Sequence, residues 1–248
     1  MWRTTDEAPA MLLLNTDPTI SRTQLLTEQL CGAIRDHEAA IAKLHPRKLA
    51  YTGELLTYGQ RFLDAIHDAN REQAEATTAT DRYSTTLRNA AQYAKDMRRE
   101  LRAVAEQLKH EGHEDQARSL LTDYMTRSAR LSIERPSDLR SIIEQYAHAN
   151  AKHRDLLTAW GIDDAKLDQA ASLARQITEV IQERRVETTQ AELAVRTRDE
   201  AELAFIHAIN PLLRRIAAQS TSSPQLVQAF ESIIEKFRAD LTSSGDRA

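Results

Sequence analysis

The sequence predicts an all-α protein, and more narrowly an elongated antiparallel helical bundle with two very long helices, on three observations. Glycine and proline together supply only 12 of the 248 residues, six of each, under half of average usage. Sandwiches, barrels and α/β folds need such residues every ten or so positions, so turns here are few and elements long. Apolar residues recur at helical spacing over long stretches without losing phase. Hydrophobic residues at 41 % and charged residues at 28 % allow a packed core and argue against a disordered chain.

The few glycines and prolines mark the elements in order. Asp17-Pro18 sets an N-cap residue before proline at a first helical position, opening a medium helix over 18–45 that ends before Pro46. A very long helix over 48–110 stops at Gly112, and a short one over 115–132 ends ahead of Pro136. Ser137 heads a medium helix over 137–160 closed by Gly161, and Asp163 heads a very long one over 163–219. Ser223-Pro224 opens a short last helix over 224–242. Residues 1–17 and 244–248 read as flexible ends.

Medium, very long, short occurs twice, which predicts two helical repeats, 18–132 and 133–243, within one continuous bundle. At an offset of 116, Ser21/Ser137, Glu28/Glu144, Gln29/Gln145, Ala33/Ala149 and His37/His153 are identical. Leu26/Ile142, Leu30/Tyr146, Ile41/Leu157 and Leu44/Trp160 keep apolar character. The same offset sets Leu87 on Leu203 and Met97-Arg98-Arg99 on Leu213-Arg214-Arg215, but the first half of the long helices needs a slip of two or three residues. The short helices align best at 113, with Tyr124 on Phe237.

The first long helix carries one heptad seam through Leu55, Gly59, Phe62, Ile66, Ala69 and Gln73. The seam goes on through Ala76, Thr80, Tyr83, Leu87 and Ala90, and ends through Ala94, Met97, Leu101, Val104 and Leu108. A helix break resets such a phase, and here it is kept, so continuity is expected through the weak helix formers Thr77-Thr78-Ala79-Thr80-Asp81. Sixty-odd residues span ~90 Å at the helical rise. In the second long helix Pro211 removes a donor and crowds the carbonyl of His207, which predicts a kink there. Residues 70–86 and 184–202 are poor in large apolar side chains, giving each long helix a polar middle.

The bulk charge and the motif inventory narrow the function classes. A net charge of −4 disfavours a dedicated binder of nucleic acid or anionic membrane. Cys31 is the one cysteine, so no intramolecular disulfide forms and a cysteine-based zinc site lacks ligands. Residues 8–14 are only mildly apolar and follow Asp6 and Glu7, unlike a secretory leader, and no run reaches the length of a spanning helix. A cytoplasmic protein is expected. The sequence holds no glycine-rich phosphate loop, no nucleophile elbow and no His-Glu-x-x-His. The Glu-x-x-His pairs of a di-iron bundle are represented only by Asp64-x-x-His67. The reading is therefore not an enzyme, with no cofactor and no metal.

Three features remain as candidate binding positions. His37 and His153 occupy matching seam positions, where a histidine either bonds to a neighbour inside the core or serves as a titrating group or ligand. The pairs Arg98-Arg99 and Arg214-Arg215 either complement the negative C-terminal half of a long helix or hold an anion. His110, Glu111, His113, Glu114 and Asp115 gather around Gly112, as a solvated turn or a loose metal collector. Cys31 reads as a small core hydrophobe. The leading expectation is a non-catalytic helical scaffold that binds a protein partner or a second copy of itself. The alternative is a ligand-binding bundle that holds an anion or metal at the seam histidines or arginine pairs. A membrane-inserting helical toxin ranks third, for want of a long apolar hairpin tip.

Overall fold

The computed structural model describes residues 20–44, 50–124, 135–218 and 223–245. Among these the chain is an all-α bundle of seven helices: α1 (Ile20–Asp36), α2 (Glu38–Leu44), α3 (Tyr51–His110), α4 (Glu114–Tyr124), α5 (Pro136–Ala159), α6 (Asp164–Ala218) and α7 (Pro224–Gly245). The expected flexible segment 1–17, residues 125–132 of the expected third helix, and residues 246–248 of the expected flexible end lie outside the described residues, while residues 244 and 245 of that end belong to α7.

The two long helices form as the seam requires. α3 runs 60 residues without interruption and α6 runs 55. Thr77, Thr78 and Thr80 do not break α3 because each hydroxyl donates to the carbonyl four residues back, at 2.8, 2.9 and 2.9 Å. Their competing hydrogen bonds are thus satisfied inside the helix. The seam of α3 is buried apart from exposed Gln73 and half-buried Thr80 and Tyr83. α6 continues through Pro211, and both Pro211 and His207 are exposed, so the carbonyl that loses its helical donor lies on the solvent side.

Two joints follow from glycine chemistry. Gly112 and Gly161 each take φ +84°, a left-handed conformation that costs a side-chain-bearing residue ~1–2 kcal/mol. Around Gly112, the His113 amide bonds the Leu108 carbonyl and the Gly112 amide that of Lys109. Around Gly161, Ile162 bonds Leu157 and Gly161 bonds Thr158 in the same pattern. Both are Schellman closures, and buried Ile162 and Leu157 supply the apolar contact that accompanies the second.

Two expected elements are corrected. α5 starts at Pro136 behind Arg135, so Ser137, expected at its head, lies inside the helix. The medium helix expected over 18–45 is divided at His37, whose carbonyl accepts from both Ala40 and Ile41 at 3.0 Å and so heads α2. Arg35 closes α1 and Glu38 opens α2, each charge matched to its helix end. α5 also leaves helical geometry inside its span, at His153 (φ −108°, ψ 15°).

The chain divides into two compact units. The first takes α1, α2, residues 51–72 of α3, residues 191–218 of α6, and α7. Its core joins Leu30, Ile34 and Ile41 with Phe62, Ile66, Phe205, Ile209 and Phe230, and the Phe62 and Phe205 rings stack at 6.3 Å. Gly59 is buried where α3 meets α1, and a Cβ there would stand 2.3 Å from the Cys31 Sγ. Cys31 is a buried core thiol, as read from the sequence, and burial raises its pKa.

The second unit takes residues 73–110 of α3, then α4, α5 and residues 164–190 of α6. Leu87, Met97, Leu101, Ile143, Tyr146, Leu157 and Ile177 form its core with Tyr124 of α4. Within this unit α3 and α6 run antiparallel, since Arg82 pairs with Glu183 while Glu100, further along α3, pairs with Lys166. Each fully buried Leu, Ile or Phe contributes about 2 kcal/mol of hydrophobic stabilisation before entropy is charged against it.

Burial follows the offset of 116 in the medium helices. Leu26/Ile142, Leu30/Tyr146, Ala33/Ala149 and Ile41/Leu157 are all buried, and His37 and His153 both sit at departures from helical geometry. Leu87 and Leu203 do not share an environment: the first is buried and the second is 51 % exposed. Each unit also draws on both segments read as repeats, 18–132 and 133–243.

Candidate functional site

The second unit holds a buried polar network centred on Asn150, a side chain only 1 % exposed. Tyr124 donates its hydroxyl to Asn150 Oδ1, and Asn150 Nδ2 donates to the Leu167 carbonyl at 2.7 Å and to the Tyr93 hydroxyl at 3.1 Å. Tyr93 in turn donates to the Lys166 carbonyl at 3.1 Å. Four helices are tied together at one level, and every polar atom of Asn150 is used. Burial pushes the Tyr93 phenol up to about 12 and raises that of Tyr124 as well, so both stay neutral donors. A single satisfied asparagine in an apolar seam fixes register at a cost in stability.

At the rim of this network stands His153, a predicted site residue. Its side chain is 11 % exposed, and Nε2 donates to Asp123 Oδ2 at 2.6 Å. Lys152 also donates to Asp123, at 2.8 Å, and the Tyr124 ring lies beside the imidazole. The hydrogen bond from Lys152, then that from His153, hold the Asp123 carboxyl below its ordinary range. A carboxylate whose pKa falls on folding adds stability above its unfolded pKa, and that stability is lost as pH falls through the folded value. Urea denaturation from neutral to acid pH should therefore show the wild type losing stability on the acid side more steeply than Asp123→Asn. Parallel curves would refute the assignment.

His37 is half-buried at the α1–α2 break. Arg98 donates Nε to the Tyr146 hydroxyl at 2.9 Å, and Arg99 is exposed with Asp96 3.6 Å away. Arg215 donates to the Leu44 carbonyl at 2.8 Å, closing the C-terminus of α2, and Arg214 is exposed. His37, Arg214 and Arg215 belong to the first unit, and His153, Arg98 and Arg99 to the second. His110, Glu111, His113, Glu114 and Asp115 are all exposed.

A cavity that sequence reading missed lies wholly within the second unit, with a volume of about 700 Å³. The start of α5 lines one wall with Pro136, Ser137, Arg140, Ser141 and Glu144, spaced along one helical face. α6 supplies Ile181, Arg184, Arg185, Thr188 and Thr189 at i, i+3, i+4, i+7 and i+8, and α3 supplies Tyr83. Three arginines face one glutamate there, a local excess of positive charge in a chain of net charge −4. Arg140 pairs with Glu144 at 2.8 Å, and the Arg184 guanidinium lies 4.6 Å over the Tyr83 ring. The Arg185 guanidinium and the Ser137, Ser141 and Thr188 hydroxyls have no internal partner among the described residues. Sequence could have flagged Arg184-Arg185 only if the polar middle of α6 were known to face the start of α5, 40-odd residues earlier.

Among the described residues no helix is long and apolar enough to cross a membrane. Comparison with protein families, with characterised proteins and with solved structures finds no match to the chain.

Proposed function

We propose that the chain is a non-catalytic helical scaffold, built from two duplicated segments, that docks an amphipathic helix of a protein partner on the outer face of α6. The observation that carries this reading is a second heptad stripe, separate from the core. Leu193, Arg196, Glu200, Leu203, His207 and Arg214 recur on one face of α6 within the first unit, and all are exposed. Leu193 is 63 % exposed and Leu203 51 %, among the most solvent-facing large apolar side chains of the described residues. Arg196, Glu200, His207 and Arg214 have no hydrogen-bond or ionic partner among the described residues. A stripe with apolar side chains ten residues apart and charges between them has the form of a helix-docking seam. Leu193 and Leu203 provide the buried contacts, and the charges select a partner with acid opposite Arg196 and Arg214 and base opposite Glu200. The matched burial of α1–α2 and α5 at an offset of 116 supports the duplication.

The test compares wild type with Leu193→Glu/Leu203→Glu in affinity capture from the native host, beside analytical ultracentrifugation of each protein alone. Both side chains point to solvent, so the variant should melt within about a degree or two of wild type. A protein retained by wild type and lost by the variant is the expected result. Equal capture by both, or a wild type that retains nothing, overturns the docking face.

A further inference from the structure

The geometry points to the α5–α6 cavity of the second unit as a binding site for a small organic phosphate, a phosphoryl group attached to a flat apolar body. Arg185, Ser137, Ser141 and Thr188 line the cavity as exposed donors with no internal partner among the described residues. Arg140 and Arg184 are held in place beside them, by Glu144 and by the Tyr83 ring. A guanidinium offers a planar fork of donors that matches phosphate oxygens two at a time, and stacking on a ring leaves its edge free to do so.

Charge and donor number select the anion. The lining carries three arginines against one glutamate, an excess of two positive charges that suits a phosphoryl dianion better than a carboxylate. Three guanidiniums and three free hydroxyls also exceed what two carboxylate oxygens can accept. The nearby acid Glu183 is occupied by Arg82, so it does not neutralise the group. Arg135, at the N-cap of α5, makes no side-chain capping bond, and Pro136 follows at the first position. The positive end of α5 therefore adds to the same field. Size selects the rest of the ligand. A volume of about 700 Å³ falls in the range of small-molecule sites and far exceeds one phosphate ion. Ile181 supplies apolar surface on which a ring would lie, beside the Tyr83 ring that Arg184 covers.

Isothermal titration of the full chain with phenyl phosphate, inorganic phosphate and benzoate, at matched ionic strength in chloride, tests the site. Phenyl phosphate should bind about tenfold more tightly than inorganic phosphate, through its ring. It should exceed benzoate by a similar factor, through its second charge. Arg185→Gln, at an exposed side chain with no hydrogen-bond or ionic partner among the described residues, should weaken phenyl phosphate about tenfold while leaving the melting temperature of the unliganded protein unchanged. Amide resonances of 136–144 and 181–189 should shift on titration. Binding no stronger than in chloride alone overturns the proposal. So do equal affinities for phenyl phosphate and benzoate or for phenyl phosphate and inorganic phosphate, an unaffected Arg185→Gln, or shifts confined to other residues.

Discussion

Gly59→Ala is expected to destabilise the first unit by about 2 kcal/mol, against the direction that helix propensity alone predicts. In an exposed helix interior, alanine stabilises by roughly 1 kcal/mol relative to glycine. Here the added methyl would lie 2.3 Å from the Cys31 Sγ and 3.3 Å from the Phe205 ring. Sγ is the end of a short, buried side chain packed in the first core, and cores of this kind leave little room for a displaced atom. The helices must separate, and overpacking of this kind costs ~1–3 kcal/mol beyond the propensity gain. The decisive experiment is a double-mutant cycle in urea. Cys31→Ala alone should cost about 1 kcal/mol by losing a small buried group. The double variant Cys31→Ala/Gly59→Ala should recover most of the loss caused by Gly59→Ala, because the methyl fills the space that the sulfur vacates. Simple additivity would mean that α1 and α3 do not meet at this point.

Asn150→Leu is expected to cost the second unit about 2 kcal/mol, though it places an apolar residue of similar size in a core. The change leaves the buried Tyr124 hydroxyl without its partner, and such an orphan costs ~1–3 kcal/mol. The Leu167 carbonyl, inside α6, loses the Asn150 bond but keeps its helical one. Tyr93 keeps its bond to the Lys166 carbonyl, which limits the damage on that side. Replacing Tyr124 with Phe together with Asn150→Leu removes the orphaned hydroxyl and should recover part of the loss in equilibrium unfolding. A neutral Asn150→Leu would show that the network is not closed in solution.

The contrast between these two sites indicates what a sequence can and cannot disclose. Gly59 was visible as a seam position, since phase alone placed it among Leu55 and Phe62. Gly112 and Gly161 were visible as joints because a positive φ almost demands glycine. The seam of α3 was legible for the same reason: burial against a neighbouring helix imposes one period, and a break would have shifted it. The division at His37 was not, because no glycine or proline marks it and only the ordered charges Arg35 and Glu38 hint at two helix ends. Asn150 aligns with buried Ile34 at an offset of 116. A lone asparagine in a helix nonetheless reads as surface until its three partners, from other helices, are brought to it.

Tertiary pairing concealed the rest. The polar middles of α3 and α6 were apparent as composition, but composition does not say which half of one long helix packs on which half of the other. That pairing builds each unit from parts of both predicted repeats. It also brings Arg184 and Arg185 opposite Arg140, so the cavity has no counterpart in any local motif. The predicted histidines and arginine pairs stood out in the sequence through similarity between the two halves. Several prove to be occupied: Arg98 by Tyr146, Arg215 by the Leu44 carbonyl and His153 by Asp123. Arg214 alone among them falls on the exposed stripe of α6.

The architecture rests on α3 being a single helix through its threonine-rich middle, and native-state hydrogen exchange measures this residue by residue. The amides of residues 77–81 should exchange much more slowly than in an unstructured chain, because each donates within an unbroken helix. They should still exchange faster than those of Leu87, Met97 and Leu101, whose side chains are buried in the second core. That graded protection is the result expected of a continuous helix with a thinly packed middle. Exchange of 77–81 at the unstructured rate, beside protected segments on either side, would show two helices joined by a loop and would contradict the account.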